Sequence, residues 1–215
     1  MRVNHRAGSG WLRAVGQSDS FYIEAAGGRV EKRFKRTLPL RDVYRFLEPG
    51  PVVLLTTARR GRANVMAMSW HTMMEFEPPL VGCVVSENDF SFHALRTTGE
   101  CAINIPTARL LQQTVACGNC SGRTVDKFAE SGLTPLAASA VAAPLIKECP
   151  VNLECRVADT KFVNKYNFFV LEVVKAWIDR GHGRAGWRRL QTFHHMGMGR
   201  FMIAGRTVTV PSKMP

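Results

Sequence analysis

Cys117-Gly-Asn-Cys120 is a CxxC pair, a spacing that suits half of a zinc site or a redox dithiol. A structural zinc site needs four ligands, usually from a second close pair, whereas Cys149 and Cys155 stand six apart. The pair also lacks the strand-then-helix setting of a thioredoxin-like site, so reduced thiols and no metal are expected. His71, His93, His194 and His195 are candidate acid–base groups, although no HExxH spacing is present. Of these, the pair His194-His195 precedes the glycine-rich turn Gly197-Met-Gly199 and marks a candidate site. That turn lacks a third glycine and a surrounding βαβ unit, and GxxxxGK[ST] is absent, so neither a Rossmann site nor a P-loop is expected. Ser121-Gly122-Arg123 followed by Asp126-Lys127 opens a short helix and carries two readings. Its charges face water on a capped surface helix, or Ser121, Arg123 and Lys127 hold an anion near the helix N-terminus. Met66, Met68, Met73 and Met74 cluster around Trp70, as a core stripe does, and soft side chains also line flat aromatic ligands.

The elements that position these residues are mostly short strands. Pro51–Thr57 is a β-branched and aliphatic run, and Asn64–Trp70 returns from it after the basic turn Arg59–Arg62. A loop ends at Pro78-Pro79, and Leu80–Ser86 is a third strand. Phe92–Thr98 has helical spacing closed by Gly99, and Cys101–Ile105 is a strand. Leu110–Cys117 and Thr124–Glu130 read as short helices stopped by Gly118 and Gly132. Val151–Ala158, Asn167–Ile178 and Gly199–Gly205 complete the strands. Many short strands with single helices inserted favour a barrel over a doubly wound sheet.

The chain of 215 residues is 46% hydrophobic and 21% charged, enough apolar material for one sizeable core. No apolar run approaches the ~20 residues of a membrane span, and the basic Met1–Gly10 does not read as a secretory signal. A cytoplasmic protein is expected, with its six cysteines reduced. The net charge of +12 is uneven: residues 1–36 hold eight Lys and Arg against three acidic residues. This stretch is rich in Gly, Arg and Ser, with a short hairpin conceivable around Gly27-Gly28. It is expected to be a flexible N-terminal extension, with the compact domain over 37–210. Further basic residues crowd Arg180–Arg206. Basic surfaces attract nucleic acid or membranes but also phosphate-bearing small molecules. No nucleic-acid module or aromatic ladder is visible, so neither nucleic acid nor membrane is an expected partner.

Several segments, taken together and in order, resemble the flavin reductase-like family with the FMN-binding split barrel, and within it the flavoredoxin branch. They are Thr56-Thr57, Gly61-Arg-Ala-Asn-Val-Met-Ala-Met-Ser-Trp-His71, Glu75-Phe-Glu-Pro-Pro-Leu-Val-Gly82, Ser86, Phe90-Ser-Phe92, Glu100-Cys-Ala-Ile-Asn-Ile-Pro106, Gly118-Asn-Cys-Ser-Gly-Arg-Thr-Val-Asp-Lys-Phe128 and Thr192-Phe-His-His-Met-Gly-Met-Gly-Arg-Phe201. The match covers roughly residues 38–205.

The resemblance implies a mostly β fold with inserted helices, a split β-barrel, and FMN as cofactor. It places Met66, Ala67, Met68, Ser69 and Trp70 along the flavin, with Val84, Val85 and Ser86 beside it. Phe90, Ser91, Phe92, Asn104 and Ser121 line the same cleft, and hydroxyls of Ser69, Ser86 and Ser91 meet the phosphate or ribityl chain. Lys127 reaches the phosphate or the N1–C2=O edge of the ring, where a cation favours the reduced anionic flavin. His194 or His195 helps place an incoming donor, NADH or NADPH; neither is required for hydride transfer, which the flavin ring itself accepts. Many members have Thr where Ala67 stands, so one hydroxyl contact is missing. The implied assembly is a homodimer. The implied function is an NAD(P)H:flavin oxidoreductase, with a partner oxygenase or electron-transfer protein as acceptor. Two alternatives stand beside it: an FMN-holding electron carrier without nicotinamide activity, and a non-flavin barrel whose basic segments serve an acidic partner.

Overall fold

The computed structural model describes residues 34–181 and 190–211. The conceivable hairpin at Gly27-Gly28 and part of the basic segment after Arg180 lie outside them.

The fold grows from one hairpin. β2 (Val53–Arg59) and β3 (Arg62–Met68) pair in register from Val53↔Met68 to Arg59↔Arg62. Arg60 and Gly61 between them both take positive φ, 51° and 75°, the geometry whose twist matches that of the flanking strands. β4 (His71–Phe76) and β5 (Pro79–Val84) form the next hairpin. β6 (Glu100–Ile105), β9 (Val151–Asp159) and β10 (Phe168–Asp179) complete an antiparallel sheet in the order β3-β2-β6-β9-β10-β5-β4. β1 (Lys35–Thr37) pairs with the end of β10, and the buried Lys35 amine bonds Asp179 at 2.7 Å and the Cys149 carbonyl at 2.9 Å. β7 (Pro135–Leu136) and β8 (Leu145–Ile146) form a small separate ladder, as do β11 (Phe193–His195) and β12 (Phe201–Ile203).

Although β3 and β4 are consecutive, they lie at opposite edges of the sheet, joined by Ser69-Trp70. The curled sheet is therefore not closed by hydrogen bonds between them, which is the split. Its interior holds Val53, Leu55, Met68, Val81, Ile103, Leu153, Phe169 and Leu171. The helix α2 (Phe90–Thr98) sets Phe92 into this core, edge-on to Phe169 at 5.6 Å between ring centroids. α1 (Tyr44–Leu47) adds Phe46 and Leu47 to the same cluster. On the other face of the β2–β3 hairpin, α3 (Leu111–Asn119) and α4 (Lys127–Ser131) cover Leu54 and Val65 with Cys117 and Phe128. Between β9 and β10 and the β7–β8 ladder, α5 (Val163–Tyr166) and the long connections complete the chain.

Three sequence expectations need correction. The helix expected over Thr124–Glu130 begins only at Lys127, because Asp126 caps it. The loop expected before Pro78-Pro79 is strand β4; its Met and Glu residues carry little strand signal, and its apolar side chains Met74 and Phe76 are exposed. The helix expected to stop at Gly118 runs through it to Asn119, with Cys120 as the extended cap residue. By contrast Gly99 and Gly132 end their helices with φ of 66° and 68°, as the sequence implies.

Candidate functional site

The free edge of β3 is the first element of the site. Among the described residues β3 has a hydrogen-bonded neighbour on one side only, so main-chain N–H and C=O groups along its outer edge have no partner strand there. Met66 and Ala67 on it are half-buried, Ser69 at its exit is half-buried, and Trp70 is 72% exposed. The Val84 amide donates to the Trp70 carbonyl at 3.0 Å, which draws the end of β5 alongside this exit.

Three bonds gather the histidines here. His71 Nε2 lies 2.7 Å from the Pro51 carbonyl and His194 Nδ1 lies 3.0 Å from the Gly50 carbonyl. The Val52 amide donates to the Phe193 carbonyl at 2.8 Å. The β11–β12 hairpin is thus fastened to the same dipeptide that holds His71, so His194 and His195 stand near the Trp70 end of β3. His195 is exposed and leans on Phe201 at 5.2 Å.

With Nε2 donating to Pro51, His71 Nδ1 is a buried acceptor without a partner among the described residues. Burial holds the His71 pKa below its usual value of 6.5, against the smaller opposing effect of the Pro51 carbonyl. The unfolded chain then binds a proton near pH 6.5 that the folded chain refuses. Stability due to His71 is full above that pH and falls as pH drops toward the depressed folded value. Thermal melts from about pH 5 to about pH 8 are expected to show this rise, and His71→Asn to flatten it; an unaltered slope in the variant would assign the effect elsewhere.

The second element is the start of α2 with the loop after α3. Ser86 Oγ accepts from the Asn88 amide at 3.2 Å, and Asp89 Oδ2 accepts from the Ser86 amide at 3.2 Å. Arg123 Nη1 donates to the Asn88 carbonyl at 2.8 Å, and Arg62 donates to the Gly122 carbonyl, tying the loop to both β3 and the α2 entry. Gly122 has no room for a side chain: a Cβ there would overlap Asn64 Oδ1 and come within 2.7 Å of Phe90 Cδ1. Ser121 is half-buried beside it.

Lys127 does not point to water. Its side chain is buried and its amine donates to the Cys117 carbonyl at 2.7 Å, while Asp126 caps α4 by accepting from Phe128 and Ala129. Among the described residues it has no carboxylate partner. The CxxC pair stands at the end of α3, and all six cysteines are free thiols.

The structure does not bring every expected residue to this cleft. Asn104 is fully buried and saturated: it donates to the Leu54 carbonyl and Thr56 and accepts from Ile146 N at 2.9 Å and Asn152 Nδ2 at 2.8 Å. It is a structural residue facing the β7–β8 side, because β6 alternates and Ile103 and Ile105 take the barrel face. Phe92, Met68 and Val85 are core side chains, which leaves only their main chain near the site. Even there, the Val85 amide is taken by the Asn167 carbonyl. Ser91 is buried with its hydroxyl accepting from Asn64 Nδ2 at 2.9 Å, so it supports Asn64 rather than presenting a free hydroxyl. Phe90 is half-buried, with Arg62 stacked over its ring at 5.1 Å.

Sequence reasoning named Phe90, His93 and Arg123 singly but missed the group they form with the hairpin arginines at the opposite end of β3. Thr57, Arg59, Arg60, Arg62, Asn64 and Arg123 line a cleft of about 360 Å³ with Phe90, His93 and Ala94. A short run of arginines in a turn is usually a solvated face, so only the convergence of Arg123 from a distant loop marks it.

A flavin reductase-like domain model matches residues 44–195. The chain is 34% identical over 181 residues to YddH, an uncharacterised Escherichia coli protein, covering 80% of this chain and 96% of that one. Among solved structures, it resembles an FMN-binding domain of a flavin reductase-like enzyme from Shewanella baltica, with a TM-score of 0.77 at 24% identity, over 82% of this chain and 97% of that one. Flavoredoxin from Methanosarcina acetivorans superposes with a TM-score of 0.66 at 29% identity, over 76% and 89% of the two chains. With the edge strand, the split sheet and the ordered motifs all in place, the chain belongs to the flavin reductase-like family.

Proposed function

We propose that the protein binds FMN against the free edge of β3 and passes electrons from NADH or NADPH through it to an acceptor. The observation that carries this reading is the buried Lys127 amine, which among the described residues has a single carbonyl partner and no counter-ion. A buried cation without a counter-charge is unfavourable, and an anionic group beside it offsets that penalty. The surrounding donor set suits FMN in chemistry: main-chain groups of an edge strand for the polar rim of the ring, apolar Met66 and Trp70 for its faces, and Ser69, Ser86 and Ser121 for the ribityl phosphate.

When bound, FMN would supply a two-electron acceptor. The work of the chain is to orient and insulate it. Lys127 balances negative charge on the ring or phosphate, the Ser69–Trp70 exit fixes the ring edge, and the β11–β12 hairpin with His194 and His195 borders the donor's approach. The exposed Trp70, Met74 and Phe76 at the β4 edge support a homodimer that covers them. A partner oxygenase or electron-transfer protein would take the electrons onward.

The test is an absorption spectrum of the purified protein titrated with FMN, repeated with Lys127→Met. The native protein is expected to bind flavin, and the variant to bind it about tenfold or more weakly with a lower flavin potential. Unchanged affinity and potential would remove Lys127 from the cofactor site, and a protein that ignores FMN would remove the whole reading. Bleaching by NADH or NADPH is expected; reduction by dithionite alone would leave an electron carrier.

A further inference from the structure

The cleft at the β2–β3 turn borders the Ser121 loop, but its arginines Arg59, Arg60 and Arg62 are not among the residues proposed to hold FMN. It brings Arg59, Arg60, Arg62 and Arg123 together with no acidic residue in its lining. None of the four has a carboxylate within ion-pair distance among the described residues. Two of the guanidiniums are committed to main-chain carbonyls, Arg62 to Gly122 and Arg123 to Asn88, which fixes the walls. Arg59 and Arg60 are exposed and uncommitted. Two of its lining side chains, Thr57 and Asn64 with 0% and 3% exposure, carry polar atoms without a hydrogen-bond partner among the described residues, Thr57 Oγ1 and Asn64 Oδ1, the second beneath Gly122. Native interiors rarely leave such atoms without a partner, so a ligand with both donors and acceptors suits the floor. Phe90, partly exposed at one side, offers an aromatic face.

Guanidiniums that converge without counter-ions favour a phosphate ester, which they bind by charge-assisted, often bidentate hydrogen bonds. The cleft lies at the Arg62–Asn64 end of β3, whereas the flavin ring is assigned to the Ser69–Trp70 end. Five or more residues of extended strand separate the two, about 17 Å. A dinucleotide whose nicotinamide lies on the ring extends that far with its adenosine.

We propose that this cleft takes the 2′-phosphorylated adenosine of NADPH and so selects NADPH over NADH. The proposal rests on the flavin assignment only for the position of the nicotinamide; the phosphate site itself stands on the cleft. Arg59 and Arg60 clamp the 2′-phosphate, Thr57 meets a ribose hydroxyl, and Phe90 supports the adenine.

The experiment is calorimetric titration of the full chain with 2′,5′-ADP and, separately, with 5′-AMP. It is repeated on the double variant Arg59→Ser, Arg60→Asn, whose second change suits the positive φ of the turn. FMN affinity is read in parallel by flavin fluorescence. The native chain is expected to bind 2′,5′-ADP at least about tenfold more tightly than 5′-AMP, and the variant to lose that preference with FMN affinity within about twofold of native. Equal binding of the two probes by the native chain would overturn the proposal. Loss of FMN affinity in the variant, with the probe preference intact, would overturn it too and give the cleft to the flavin's own phosphate. A native chain that binds no FMN yet prefers 2′,5′-ADP would sink the cofactor reading and leave the phosphate site standing.

Discussion

Gly122→Val is expected to weaken FMN binding by about tenfold or more while the barrel stays folded. The main chain at Gly122 presses on Asn64 and Phe90 so closely that any Cβ must push the loop away. Asn64 is itself held by Ser91, and Phe90 by Arg62, so neither gives way easily. The loop would move instead, carrying Ser121 and Arg123 from the α2 entry and breaking the Arg62–Gly122 and Arg123–Asn88 contacts. Overpacking of this kind costs about 1–3 kcal/mol, which would appear as lost affinity because the loop is peripheral to the core. Flavin fluorescence titration measures it. The contrast is Gly118→Ala, where the new Cβ would meet Ala67 Cβ at an ordinary 3.8 Å inside a helix. That change is expected to stabilise by about 0.5–1 kcal/mol. If both variants bind FMN like the native protein, the loop has no part in the site.

The largest loss of stability is expected from Glu154→Ala. Glu154 is wholly buried, and its carboxylate accepts from Trp177 Nε1 at 2.7 Å, from Ser139 N and Oγ, and from Ala140 N. It fastens the connection between β7 and β8 to the sheet and sets Trp177 in place. Removing it leaves the buried Trp177 indole N–H without its acceptor, a loss of about 1–3 kcal/mol, and releases the Ser139–Ala140 bend and the packing of the carboxylate stem as well. A combined loss of about 3–5 kcal/mol is expected, or roughly 6–20 °C in the melting temperature of a chain this size. Glu154→Gln keeps one of the two acceptor oxygens, enough for Trp177 and Ser139, and is expected to lose less than Glu154→Ala. A melting temperature unchanged in Glu154→Ala would show that the connection relaxes around the gap.

The strands with β-branched or aliphatic runs were legible from the sequence: β2, β3, β5, β6, β9 and β10 all lie where period and turn residues put them. β4 was not, because an exposed edge strand buries little and its sequence owes little to packing. The short β7–β8 ladder was not legible either, because two residues carry no period. For the candidate site, the ordered motifs single out Met66–Trp70 and Val84–Ser86, and the fold places these at the exit of β3 and beside it. Asn104 failed for a physical reason. A polar residue in a buried strand looks alike whether it faces a ligand or a network of other amides, and here Asn152 and Thr56 supply the network. The arginine cleft failed for the opposite reason: its parts lie about sixty residues apart in sequence, Arg62 to Arg123, and only the fold joins them.

The fastening at Gly50–Val52 has a consequence for exchange of backbone hydrogens. The β11–β12 hairpin reaches the barrel through a few bonds, among them Val52 N to Phe193 O, Ala108 N to Gln191 O and the His194 contact. Beyond the buried Phe193, its side chains Met196, Met198, Met202 and Ile203 are exposed. Such a unit opens as a whole, at a free energy well below global unfolding, and its amides lose protection together. Anything that seats on those methionines would slow that opening, so the hairpin's protection reports from a distance on what covers it.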